Sequence, residues 1–207
     1  MINPEKAFHA AGFLLWKAGG ELDAGRVSRL LYQAERASLL TNGMPLTGDR
    51  LMAFPEGPGL ETMSRWLEGR DSSLEDALLR RDGAVISLRN KAAPDRDGTE
   101  SVFDLLSEAE TEILERVLKA PESRLPPEWR KPARQPEPIS VTRLFLSNGR
   151  TEAEAAAAES QLKEMSDLDT LLRRYTVQEN ERGTPRFIQK RPLSSLPSCS
   201  GCQTDRM

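Results

Sequence analysis

The chain has 207 residues, of which 38% are hydrophobic and 29% charged, with a formal net charge of −3 and a pI near 5.5. That length suits one domain of roughly 100–200 residues with an appendage, or two small domains, and the composition reads as a folded core with a polar remainder, not as a wholly disordered chain. The acidic balance argues against long-range attraction to phosphate backbones, and no stretch approaches the roughly 18 apolar residues of a membrane span.

Taken in chain order, Met1 to Trp16 lacks the cationic start and long apolar run of a signal peptide. A cytoplasmic protein is therefore the expectation. Phe8, Ala11 and Leu15 recur at helical spacing, which predicts a first helix from Pro4 to Lys17 with Asn3 as its cap. Asp23 then opens a second helix to about Asn42. Its apolar stripe is Val27, Leu30, Leu31, Ala34, Ala37 and Leu40. Asn42–Gly43 stops it, and Pro45 forbids continuation.

Asp49 to Phe54 reads as a short strand, Pro55 to Gly59 as a turn, and Glu61 to Glu68 as a third helix carrying Met63, Trp66 and Leu67. Val85 to Leu88 is a second strand set off by Asp82–Gly83. Asn90 to Thr99 is polar and loop-like. Ser107 with Glu110 forms a capping box for a helix to Lys119, with Ile113, Leu114, Val117 and Leu118 on its apolar face. Pro121 to Pro138 is too rich in proline to be helical. Ser140 to Ser147 is a short helix, and a second capping box, Thr151 with Glu154, opens a helix to about Arg174.

After Tyr175 no periodicity continues. The expected fold is mainly α (α+β): a helical domain over residues 1–174 with a small two- or three-stranded antiparallel sheet, then a polar, disordered tail over 175–207.

Few groups in this sequence invite chemistry. Cys199 and Cys202 supply two of the roughly four ligands a zinc site needs, and they stand in the tail. The single histidine, His9, has no nucleophile in a recognisable motif to partner it. In Glu56-Gly57-Pro58-Gly59, Pro58 removes an amide donor and no lysine follows, so a tight turn is the better account than a phosphate loop. The acidic residues fall on solvated helix faces, and spacing argues for no buried carboxylate pair. The basic stretch from Arg173 to Arg191 reads as solvated chain. A non-enzymatic binding protein without cofactor or metal is the expectation.

Leu30, Leu31, Tyr32, Ala34 and Arg36, followed by Gly43, Pro45, Thr47, Gly48 and Asp49, and then by Ala53, Gly57 and Pro58, form an ordered series. This series resembles the core of the Panacea-domain, or SocA-like, antitoxin family. The resemblance continues through Leu106–Glu110, Pro127–Trp129, Pro138–Ile139 and Leu168–Leu172, so it covers about residues 5–174. Three departures stand out: Glu35 replaces the family's usual Asp, Gly59 replaces an apolar residue, and the stretch from Lys119 to Pro126 is shortened.

The resemblance implies a bacterial, often prophage-borne antitoxin that binds and neutralises a co-encoded toxin, by direct binding or by delivering it to a protease or its unfoldase. Neither a membrane nor nucleic acid is an expected partner. The alternative is a DNA-binding transcriptional regulator of a toxin-antitoxin or prophage locus, with the acidic pI against it. For partner contact the residues singled out are Tyr32 and Arg36 near the end of the second helix, with Asp49, Gly57 and Pro58 around the strand-to-helix turn. A competing account puts Tyr32 in the core and pairs Arg36 with Asp49.

Overall fold

A computed structural model describes residues 4–71, 78–89, 103–120, 133–172, 175–179 and 185–189. The chain divides into two compact units, Met1–Lys163 and Glu164–Met207.

The first unit is built on two long helices. Helix α1, Pro4–Ala18, buries Ala7, Phe8, Ala11, Leu14 and Leu15. After β1, Glu21–Asp23, helix α2 runs over Ala24–Asn42. Asp23 caps it, accepting hydrogen bonds from Gly25 N–H (2.9 Å) and Arg26 N–H (3.3 Å). At its far end the Gly43 amide closes on Leu39 O at 3.0 Å. Val27, Leu30, Leu31 and Ala34 are buried as expected, while Ala37 and Leu40 pack half-buried against the core.

Strand β2, Leu51–Phe54, and β3, Gly57–Leu60, form an antiparallel hairpin in register Leu51↔Leu60 to Phe54↔Gly57. The reversal is therefore confined to Pro55–Glu56, and the stretch expected to be turn as far as Gly59 is mostly strand. A two-residue loop closes on a hydrogen-bonded pair. The next pair, Ala53↔Pro58, is then a non-hydrogen-bonded one, and the ladder loses nothing to the missing proline N–H. On the other edge of β2 lies the two-residue β6, Glu137–Pro138.

Helix α3, Glu61–Leu67, follows β3 directly and buries Met63, Trp66 and Leu67. A second three-stranded antiparallel sheet has the order β1-β5-β4. It is made from β1 and the hairpin of β4, Leu79–Asp82, with β5, Val85–Leu88. Of these only β5 was legible, because β1 has three residues and β4 reads Leu-Arg-Arg-Asp, with no run of strand-forming side chains.

Helix α4, Glu108–Lys119, carries the expected capping box of Ser107 and Glu110 and buries Ile113, Leu114 and Val117. Ser140 caps the short α5, Val141–Ser147. Thr151 and Glu154 cap each other reciprocally at the start of α6, Glu152–Leu172. The described residues bear out a mainly helical α+β fold, and the first unit has two three-stranded antiparallel sheets in place of one. None of their helices is long and apolar enough to cross a membrane.

The second unit holds the last residues of α6 and a hairpin of β7, Tyr175–Glu179, with β8, Pro185–Gln189, in register Tyr175↔Gln189 to Glu179↔Pro185. These strands fall where no element was expected. Each is five residues, too short for its alternation to stand out from a polar tail. Cys199, Cys202 and the shortened stretch from Lys119 to Pro126 (beyond Ala120) lie outside the described residues, as does Asn3.

Candidate functional site

Tyr32, Glu35 and Arg36 follow one another on α2, but the helix aims them differently. Tyr32 has no exposed surface and belongs to the core. Arg36 is half-buried, and its guanidinium donates to Asn148 Oδ1 at the end of α5. The same corner is held by Arg150, which donates to Leu40 O at 3.1 Å.

The tie between α2 and the β2 segment is made by Glu35, not by Arg36. Glu35 is only 1% exposed. Its Oε2 accepts from Thr47 N–H (2.8 Å) and from the Thr47 hydroxyl (3.0 Å), and its Oε1 accepts from Gly48 N–H (3.0 Å). Gly48 holds φ at 74°, a backbone state that a side chain disfavours, and this turns its amide toward the carboxylate.

The network continues through Thr47 to Asp49. The Asp49 N–H donates to Thr47 Oγ1 at 3.2 Å. The carboxylate of Asp49, itself 5% exposed, then reaches the start of α3. There Thr62 N–H donates to both of its oxygens (3.1 and 3.0 Å) and Met63 N–H to Oδ2 (3.0 Å), while Arg50 N–H donates to Oδ1 (2.8 Å). Helix α3 has Leu60 at its cap position with no side-chain cap of its own. Asp49 supplies that cap from a distance, satisfying amides that the helix cannot.

Two buried carboxylates thus stand within one hydrogen-bonded node, an arrangement that spacing along the chain did not reveal. Burial pushes the Glu35 carboxyl up to about 7. The hydrogen bonds from Thr47 and Gly48 pull it down, and the nearby Asp49 charge adds to the rise. A carboxyl near neutrality is what a general base requires. Here, however, both oxygens face fixed donors and 1% exposure leaves no path for a substrate. The node locks α2, the 47–49 loop and α3 to one another.

Gly57 and Pro58 are buried in β3, yet they form one wall of an open groove of about 220 Å³. Ser28 and Arg29 of α2, Phe54 of β2 and Leu67 of α3 line the rest, and exposed Glu56 and Glu68 add charge. Gly57 holds φ at 141°, which favours glycine where the hairpin leaves its turn. Gly59 has a steric reason. A Cβ there would lie 2.7 Å from Ser64 Oγ and 2.9 Å from Ser28 Oγ. These two hydroxyls are themselves 3.4 Å apart, so the serines of α2 and α3 meet over the bare backbone of Gly59.

Of the five residues singled out from the sequence, the structure brings Gly57 and Pro58 together at the groove. Asp49 lies in the node, Tyr32 in the core and Arg36 at the α2–α5 junction. Glu35 was visible only as a departure from a pattern, because nothing local marks which helical glutamate faces inward.

His9 is half-buried, with Nδ1 3.6 Å from Asp104 Oδ1 and its ring edge-on to Phe103. Among the described residues no group of three His, Cys, Asp or Glu side chains could hold a metal ion. Comparison with protein-family models, curated proteins and solved structures finds no match to this chain.

Proposed function

We propose that this chain is an antitoxin-type protein that binds and neutralises a co-encoded toxin, directly or by delivering it to a protease. The observation that supports this reading is the way the Leu30–Pro58 segment hangs together. Its Thr47, Gly48 and Asp49 are hydrogen-bonded to α2 on one side and α3 on the other, and its Gly57 and Pro58 end on an open groove. A motif held this firmly, with an apolar wall left open beside it, is the build of a recognition surface presented by a rigid scaffold. Phe54, Pro58 and Leu67 would take an apolar anchor from the toxin, and Arg29, Glu56 and Glu68 would form the polar rim.

The test is co-expression with the product of the adjacent gene. Rescue of growth together with co-purification is the expected result. Absence of both sinks the proposal. A rim variant, Glu56→Arg at an exposed groove residue, separates contact from scaffold when its melting temperature is read alongside binding.

A further inference from the structure

The sheet β1-β5-β4 carries a second concavity, separate from the groove beside Pro58. It has a volume of about 710 Å³, within the range of small-molecule sites. Its chemistry follows from the register. Arg80 of β4 stands directly opposite Ser87 of β5, so the two side chains share a face of the sheet, and Arg89 returns to that face two residues on. Both arginines are exposed. Arg89 Nε donates to Leu79 O at 2.7 Å, which fixes one edge of its guanidinium and leaves its Nη groups out of that bond. The Arg80 guanidinium has no hydrogen bond or ion pair among the described residues.

Two cations on adjacent strands repel unless an anion lies between them. Among the described residues one carboxylate, Glu21, lines the same space. At the other end Gly19 and Gly20 leave bare backbone, with no described residue within 4 Å of where a Cβ would stand. Half-buried Trp16 forms a flat wall; the Lys17 ammonium, 4.5 Å from its ring centroid, is paired with Glu115 at 2.7 Å and leaves the site's positive charge to the two arginines.

We propose that this concavity is a binding site for a small phosphorylated ligand with a planar ring, of mononucleotide size. Arg80 and Arg89 grip the phosphate, Ser87 donates its hydroxyl to it, and Trp16 packs against the ring. Guanidinium groups match phosphate oxygens two at a time, and a third donor between them is the usual complement. Glu21 accepts from the ligand's hydroxyl or amino groups, which inorganic phosphate does not offer.

Titration of the full chain with AMP, adenosine and inorganic phosphate, followed by calorimetry and tryptophan fluorescence, tests the assignment. AMP is expected to bind saturably and quench fluorescence, with adenosine and phosphate each weaker by roughly tenfold or more. Arg80→Gln is expected to weaken AMP by about tenfold with an unchanged melting temperature. Trp16→Phe should remove the quench; where that variant unfolds, calorimetry on Arg80→Gln and Arg89→Gln decides alone. No saturable AMP binding, or AMP binding untouched by both arginine substitutions, overturns the site. Phosphate binding as tightly as AMP overturns the role given to Trp16.

Discussion

The node around Glu35 and the outer face of the β1-β5-β4 sheet both concentrate charge, and they treat it in opposite ways. At the node two carboxylates are buried, and all four oxygens accept from backbone amides or a hydroxyl. On the sheet, Arg80 is exposed and has no partner among the described residues. Burying an ionised group is costly unless fixed donors replace its water, so a charge inside the fold must be consumed by the fold. A hydrated cation on a strand carries no such requirement and remains available to a ligand. Buried charge here builds the scaffold, and exposed charge is where binding chemistry is left over.

The largest break in that comparison is Glu35→Ala. It leaves Thr47 N–H, the Thr47 hydroxyl and Gly48 N–H without their acceptor inside the protein. A loss of about 3 kcal/mol is expected in urea unfolding. A loss under about 1 kcal/mol would mean that water replaces the carboxylate and the node is not a scaffold.

Gly59→Ala comes next, at about 2 kcal/mol, because the new methyl must displace the serine pair between α2 and α3. The serine hydroxyls are the atoms in the way, so Ser28→Ala and Ser64→Ala together should recover part of that loss.

A third effect depends on pH. The Glu35 carboxyl stands near 7 in the folded protein against an ordinary 4.5, so the native state holds that proton more tightly than the unfolded chain does. The stability this confers is complete below about pH 4.5 and is lost as pH rises through about 7. Unfolding midpoints of the wild type should therefore fall between about pH 5 and about 7.5, and Glu35→Gln should flatten that slope. Equal slopes in the two proteins would assign the titration to another group.

The smallest effect sharpens the other side. Arg80→Gln should change stability by less than about 0.5 kcal/mol, as for an exposed side chain with nothing to lose. A larger change would show that this arginine belongs to the fold and not to a ligand.

Much of the scaffold was legible along the chain because its signals are local. Asp23 and Gly43 bound α2, and the Ser107–Glu110 and Thr151–Glu154 boxes open α4 and α6, each through hydrogen bonds spanning four or fewer residues. The candidate site was less so. Gly57 and Pro58 read along the chain as a turn, since the pairing of Pro58 with Ala53 depends on a partner strand that lends it register. Glu35 looked like one more solvated glutamate, because its acceptor role depends on amides twelve and thirteen residues away. The arginine-bearing concavity leaves no local mark for the same reason: β4 has no strand signal until β5 lies beside it.

By itself the sequence determined the helices of a mainly helical α+β chain and the local caps of α2, α4 and α6. Those depend on side-chain spacing and on bonds to near neighbours. Only the tertiary structure decided which carboxylates are buried, that Asp49 caps a helix it does not belong to, and which strands bring Arg80, Ser87 and Arg89 onto one face. Burial, strand register and remote capping are properties of pairs of distant segments, and no local pattern encodes the partner.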